Sequence, residues 1–210
     1  MAAIVEQEAG ERALSRWLWV LAALAGVGLA LASFRYFLDA GPMPPKIVAN
    51  ALAVPWLKIH IAGAATALLV GSFQFIGRLR RRWPAQHRWT GRLYVAACLV
   101  GGVTGFILAL GTTMGSVATA GFGTLAIAWL FVTTRGWHLA RQRRFSEHRR
   151  WMIRSWALTI AAVNLRIYIL IAFLIGLPFD DSYPVISFLA WVPNLIAAEI
   201  YLRTTAGVSP

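Results

Sequence analysis

Six long apolar segments, separated by short polar stretches, make up most of this sequence. Each segment is close to the roughly 20 residues that an α-helix needs to cross the hydrocarbon core of a bilayer. The pattern therefore predicts an all-α fold, an integral membrane bundle of six transmembrane helices. The predicted spans are residues 17–38, 56–77, 89–110, 117–139, 148–177 and 183–202.

Polar and turn-forming residues mark the ends of these spans. Glycine and prolines at 41–45 end the first span, and a short interfacial helix is predicted over 46–54. Pro193 interrupts the sixth span, which gives only weak support to a transporter with broken helices. We assign residues 1–16 to a polar leader that forms a loose or surface helix, 17–203 to the membrane domain and 204–210 to a tail.

Composition supports a membrane protein. Hydrophobic residues make up 59% of the chain and charged residues 13%, whereas a soluble domain has about 25% charged residues. The net charge of +12 suggests a nucleic-acid partner, but the charges stand in short blocks between the apolar segments. We therefore expect the lipid bilayer to surround the protein, and no nucleic acid to bind it.

The basic residues are strongly biased toward alternate loops. Placing those loops in the cytoplasm satisfies the positive-inside rule and predicts that the N- and C-termini are both cytoplasmic. The first span is too long for the apolar core of a signal peptide, so we expect it to be retained as a transmembrane helix. The cytoplasmic arginines come from the leader, from the blocks at 78–92 and 135–154, and from Arg203, whereas Asp39, Lys46, Lys58, Asp180 and Asp181 fall outside.

Three histidines are predicted to lie at the cytoplasmic ends of the helices. His87 and His148 begin the third and fifth spans, and His138 ends the fourth. Neutral imidazole is a frequent ligand of haem iron and of other metals. His87 with His148, or with His138 as a substitute, is therefore a candidate site for haem b or a metal. Histidines at a membrane interface are also common without any cofactor, and this alternative stays open.

Neighbouring residues suit such a haem site. Gly91 and Tyr94 follow His87 along one helix face, and Met152 and Ser155 follow His148. Gly91 would leave room for a flat macrocycle, while the arginines nearby, Arg92 and Arg154, suit its propionates. Cys98 is the single cysteine, which rules out an intrachain disulfide and the paired cysteines of a c-type haem.

A second polar set is predicted toward the outer side of the membrane. It consists of His60 and Arg166, with Asn164 and Tyr168 as further members. An arginine inside a span costs about 2.5 kcal/mol or more, so Arg166 should face the bundle interior or water. The spans contain no acidic residue at its depth, so its partner must come from an outer loop or from a ligand anion. Glu199, by contrast, is predicted to pair with Arg92 or Arg154.

Small residues recur in the third and fourth spans and predict close helix packing. They are Gly101, Gly102, Gly105, Gly111, Gly121 and Gly123.

Four sequence blocks resemble the bacterial membrane protein family known as domain of unknown function 2306. They are HIAGAATALLVGSFQF (60–75), HRWTGRLYV (87–95), EHRRWMIRSWALTIAAVNLRIY (147–168) and WVPNLIAAE (191–199). The resemblance covers about residues 30–203 and implies a multi-pass protein of the bacterial inner membrane; the family has no established activity. The family's polar positions fall here on His60, His87, Arg92, His148, Arg154, Arg166 and Asn194.

The histidine-marked helical layout is also similar to that of cytochrome b561-type haem proteins. Those proteins pair histidines for two haems, whereas His60 has no histidine partner in the outer half of the membrane. A two-haem transmembrane path is therefore not expected.

These observations favour an accessory or assembly subunit of a larger membrane complex, such as a respiratory or other electron-transfer complex, with other membrane subunits as partners. The alternative is a redox protein that binds haem b or a metal at His87 and His148 and interacts with quinone. The chain contains no phosphate-binding loop, no dinucleotide fingerprint, and no metalloprotease or serine-hydrolase motif.

The orientation is testable by accessibility mapping. An epitope tag inserted in either arginine-rich loop should be reached only after the inner membrane is permeabilised, since the positive-inside rule holds those loops in the cytoplasm. Labelling of these tags in cells with an intact inner membrane would contradict the predicted orientation.

Overall fold

The computed structural model describes residues 2–38 and 45–205, with side chains from residue 17 onward apart from that of residue 18. Within these ranges the chain is helical and has no strand. Six helical stretches are long and apolar enough to cross a membrane, which confirms the predicted fold class. They are Trp19–Phe37, Ala53–Gln74, Pro84–Leu110, Gly115–Arg141, Phe145–Leu174 and Phe179–Thr204.

Ten α-helices and one 3₁₀ turn make up the described chain. In order, they are α1 (Ala2–Ser33), the 3₁₀ turn (Phe34–Phe37), α2 (Pro45–Val48), α3 (Ala53–Gln74), α4 (Gly77–Arg82), α5 (Pro84–Leu110), α6 (Gly115–Arg141), α7 (Phe145–Thr159), α8 (Ala161–Leu174), α9 (Phe179–Leu189) and α10 (Val192–Thr204). Asp39 and the end of the tail lie outside the described residues.

The third span begins earlier than its hydropathy indicates. α5 starts at Pro84, where a proline suits the first helical turn because its missing N–H would have no helical partner. His87 therefore lies within the first turns of a helix rather than in a loop.

The fifth and sixth spans are each two helices in series. We expected one helix over 148–177, but α7 ends and α8 begins at Ile160, and α9 and α10 are separated at Ala190 and Trp191. The side chain of Asn194 joins both interruptions. Its Nδ2 donates to the carbonyl oxygens of Ala157 (3.1 Å) and Ala190 (3.2 Å). Its Oδ1 accepts a hydrogen bond from Asn164 Nδ2 at 2.6 Å, so every polar atom of this amide has a partner.

Glycines let the helices approach closely, as predicted. A Cβ atom at Gly63 on α3 would lie 2.6 Å from the backbone nitrogen of Gly101 on α5. A Cβ atom at Gly121 on α6 would lie 2.0 Å from Ser187 Oγ on α9. Small residues thus bring α3 against α5 and α6 against α9, which is the kind of packing that lipid-embedded helices use.

Four buried hydroxyl groups join α5, α6 and α7 at the centre of the bundle. Tyr94 Oη lies 2.9 Å from both Ser155 Oγ and Thr159 Oγ1, and Thr133 Oγ1 lies 2.7 Å from Ser155 Oγ. Trp129 Nε1 donates to Thr159 Oγ1 at 3.0 Å. We call these five side chains the hydroxyl network; each is at most 7% exposed.

The hydrogen bond of Thr159 to a carbonyl group determines which hydroxyl donates and which accepts along the hydroxyl network. Thr159 donates its single hydroxyl proton to the carbonyl oxygen of Ser155 at 2.9 Å, and a carbonyl can only accept. Thr159 must therefore accept from both Trp129 and Tyr94. Tyr94 then accepts from Ser155, and Ser155 accepts from Thr133, so that every proton has an acceptor.

We predict that Gly63→Ala destabilises the bundle. The added methyl group meets the backbone of α5 rather than a movable side chain, and overpacking of this kind costs about 1–3 kcal/mol. Gly123→Ala is the matched control because its Cβ would lie 3.8 Å from Phe106. Thermal unfolding in detergent should show a lower Tm for the first variant only; equal Tm values would contradict the close contact between α3 and α5.

We also predict that Tyr94→Phe destabilises the protein by about 1 kcal/mol, because it removes the central member of a hydrogen-bonded chain within the membrane domain. Tyr168→Phe is the control, since no hydrogen bond of the Tyr168 hydroxyl is present within the described residues. The readout is the free energy of unfolding in mixed micelles, and a Tyr94→Phe variant as stable as its control would contradict the prediction.

Candidate functional site

A cavity of about 260 Å³ lies at the end of the bundle remote from the arginine-rich loops. We call it the distal cavity. Its walls come from α3, α5, α6, α7, α8 and α9, with a cover from α2 and from the 3₁₀ turn that ends the first span. Most of its surface is apolar, as is usual for small-molecule sites. Its polar lining residues are Tyr36, Lys46, Asn50, His60, Thr112, Thr159, Arg166 and Tyr183.

Two of these polar residues, His60 and Arg166, were predicted together as the outer set, and the structure places both in the distal cavity. Of the further members predicted, Asn164 is hydrogen-bonded to Asn194 instead, and Tyr168 is not among the residues that line the cavity.

The imidazole of His60 is held against α5. Its Nδ1 lies 2.9 Å from the carbonyl oxygen of Gly101, and a carbonyl accepts, so Nδ1 carries the proton of this bond. A Cβ atom at Gly105 would lie 3.0 Å from Cε1 of His60, which shows that the ring needs a glycine beneath it. No hydrogen bond is present at His60 Nε2, yet this atom is not among the enclosed, unpartnered polar atoms of the described chain. His60 Nε2 therefore keeps some accessible surface, and His60 is one of the residues that line the cavity.

The guanidinium of Arg166 extends from α8 into the same space. One nitrogen, Nη1, donates to the carbonyl oxygen of Ala162 at 3.0 Å. The side chain is exposed, and part of it lines the distal cavity. Among the side chains that the structure describes, the ion pairs join Lys46 to Asp180, Arg144 to Glu147 and Arg154 to Glu199. Arg166 thus has no carboxylate partner within that part of the protein.

Residues 45–52, which form part of the cover of the cavity, are attached to α9 and to the end of α5. Lys46 on α2 forms a 2.9 Å ion pair with Asp180 in the first turn of α9. Asn50 Nδ2 donates to the carbonyl oxygen of Leu108 at 2.7 Å, and the Ala51 nitrogen donates to the carbonyl of Gly111 at 3.2 Å. These contacts hold residues 45–52 against the ends of α5 and α9.

Aromatic rings and the hydroxyl network form the remaining walls. Tyr183 stacks on Phe179, with ring centroids 4.7 Å apart, and packs against Phe122 at 5.3 Å. Trp129 and Thr159 line the cavity and belong to the hydroxyl network. The cavity is therefore built directly on the central packing of the bundle.

The three histidines predicted at the opposite end do not line the distal cavity. His148 Nδ1 lies 2.8 Å from the carbonyl oxygen of Gly136. His138 is exposed, and its Nε2 lies 2.9 Å from Nε2 of Gln142. Within residues 2–38 and 45–205, no three His, Cys, Asp or Glu side chains form a group that could hold a metal ion.

Several residues that follow His87 and His148 along their helices contact neighbouring side chains. The Tyr94 and Ser155 side chains are directly hydrogen-bonded. Gln74 Oε1 lies 3.5 Å from where a Cβ of Gly91 would be, and Met152 packs against Gly136. Binding of haem b or a metal by His87 and His148 stays a prediction.

The two arginines that were predicted to suit haem propionates, Arg92 and Arg154, both contact other side chains in this structure. Arg154 binds Glu199 through two hydrogen bonds of 2.5 and 2.9 Å, which confirms one of the two pairings expected for this glutamate. Arg92 lies instead over the ring of Trp89, 4.7 Å from its centroid. The sequence did not identify Tyr36, Asn50 and Tyr183 as lining residues, because the pattern of apolar residues around them does not indicate which residues share a cavity.

Comparison with known proteins agrees with the resemblance of the four sequence blocks. A family model described as "Predicted membrane protein (DUF2306)" matches residues 57–202. No curated protein and no solved structure matches the chain. The matched region contains all four blocks and both His60 and Arg166. Since it covers more than half of the chain, this protein belongs to the DUF2306 family of predicted membrane proteins.

Proposed function

We propose that this membrane protein binds a small amphiphilic molecule in the distal cavity, with an anionic or carbonyl head at Arg166 and an apolar body against the cavity walls. The observation that carries this proposal is the guanidinium of Arg166, which faces a mostly apolar cavity without a carboxylate partner among the described side chains.

The cost of such an arrangement supports a ligand. Arg166 lies eight residues before the end of α8, or about 12 Å along the helix axis, so it is well inside its span. A cation this far inside a span needs an anion, several acceptors or water. The carbonyl of Ala162 supplies one acceptor, and the other guanidinium donors are available to a bound molecule.

The apolar lining supports an amphiphile rather than a free inorganic anion. The walls include Leu57, Ile61, Leu125 and Leu158, which offer dispersion contacts and exclude water but contribute no charge. A molecule with an apolar body gains free energy from these walls, whereas a hydrated ion gains none. Quinone, which the sequence suggested as a partner, has carbonyl acceptors on an apolar ring and belongs to this class.

The roles predicted from sequence, an accessory subunit of a membrane complex and a histidine-ligated haem or metal protein, stay predictions. An accessory subunit that holds a lipid-like molecule in the distal cavity is compatible with the proposed function.

The proposal predicts that Arg166→Gln weakens the binding of decanoate by about ten-fold or more. A hydrogen bond to a charged group contributes about 1.5–3 kcal/mol, and each 1.4 kcal/mol corresponds to a factor of about ten. Isothermal titration of the full chain in detergent micelles measures the affinity, and protein-free micelles give the background of partitioning.

Arg92→Gln is the matched control because it removes the same charge at the opposite end of the bundle, where Arg92 stacks on Trp89. Its affinity for decanoate should equal that of the unchanged protein. Decanoate binding no stronger than the micelle background, or an unchanged affinity in Arg166→Gln, would contradict the proposed function.

A further inference from the structure

His60 and Arg166 present opposite hydrogen-bonding groups to the distal cavity. The guanidinium of Arg166 only donates. His60 already uses its Nδ1 proton on the carbonyl oxygen of Gly101, so in the neutral imidazole Nε2 is an acceptor. The cavity therefore offers strong donors and one directed acceptor.

The neutral form of His60 follows from its surroundings. Arg166 already places one positive charge at the lining of the same cavity. A second positive charge in an apolar enclosure, without a carboxylate among the described side chains around it, would be costly. The other polar residues that line the cavity are Tyr36, Asn50, Thr112, Thr159 and Tyr183, together with Lys46 in its ion pair with Asp180.

The orientation of the His60 acceptor is well defined. The bond to Gly101 holds the Nδ1 edge of the ring against α5, and the missing side chain of Gly105 leaves room for this edge. Nε2 is thus presented to the cavity by a ring that cannot turn without losing its hydrogen bond. A bound molecule whose head group has no hydrogen-bond donor would leave His60 Nε2 without water or another partner, at a cost of about 1–3 kcal/mol.

We infer that the molecule bound in the distal cavity carries a hydroxyl group next to its anionic or carbonyl oxygen, with the oxygen at Arg166 and the hydroxyl donating to His60 Nε2. This inference rests on the proposed function and narrows its ligand from amphiphiles in general to hydroxylated ones. Two kinds of lipid share this chemistry: α-hydroxy fatty acids, and lysophosphatidic acids with their free glycerol hydroxyl.

Matched pairs of probes test this inference. α-Hydroxydecanoate and decanoate differ only in the hydroxyl group, as do a decanoyl lysophosphatidate and its deoxy analogue. The unchanged protein should bind the hydroxylated member of at least one pair about ten-fold more tightly, equivalent to about 1.4 kcal/mol. The pair that shows the preference identifies the source of the head group.

Two variants of His60 assign the preference to its Nε2. An asparagine amide nitrogen occupies about the place of Nδ1, so His60→Asn should keep the bond to Gly101 but lose the acceptor. In this variant the hydroxylated and plain probes should bind equally. His60→Gln places an amide near the position of Nε2 and should retain part of the preference. Tm values measured beside the titrations verify that both variants fold, and a ratio of two affinities is insensitive to a partial loss of folded protein.

The outcomes separate this inference from the proposed function. Equal binding of both members of each pair by the unchanged protein overturns the inference, while an Arg166-dependent affinity for decanoate leaves the proposed function standing. A hydroxyl preference that persists in His60→Asn also overturns it, because another cavity residue must then accept the proton. Failure of every probe to bind overturns both.

Discussion

Polar groups within a membrane need partners from the protein, because the lipid offers none. The hydroxyl network meets this requirement for Tyr94, Thr133, Ser155 and Thr159 with a single consistent direction of donation. It joins α5, α6 and α7 at one point and so determines how α7 is rotated about its axis. The helix that follows, α8, carries Arg166, so the position of the guanidinium depends on hydrogen bonds made at the other side of the cavity wall.

The same requirement explains the interruptions of the last two spans. A broken helix leaves carbonyl groups without their usual partners. Asn194 binds the carbonyls of Ala157 and Ala190, one beside each break, and is itself bound by Asn164. Residues next to both breaks, Ala161 and Ala190, line the distal cavity. The breaks are therefore stabilised by one amide and form part of the wall of the candidate site.

Glycines determine how much space remains for a ligand. At Gly63 and Gly121 the absence of a side chain allows helices to touch, whereas at Gly105 it leaves room for the His60 ring. Close packing at the first two positions draws α3 and α9 toward the centre, which brings His60 and Tyr183 to the same cavity. The combination of an apolar enclosure, a cation and a directed acceptor is thus a product of close helix packing rather than of any local motif.

Hydropathy along the chain determined the six spans, because each apolar segment matches the thickness of a bilayer. Because a charge in lipid is energetically costly, the sequence indicated that Arg166 faces the bundle interior or water. The depth of Glu199 in its span indicated Arg154 as one of its two expected partners. The rotation of each helix was decided only by the tertiary structure. The apolar residues of α3, α8 and α10 are spread around the whole helix, so no stripe indicates which face points inward. The contact of Tyr94 with Ser155 and the meeting of Tyr36, Lys46 and Tyr183 in one cavity depend on that rotation, and they join positions far apart in the chain.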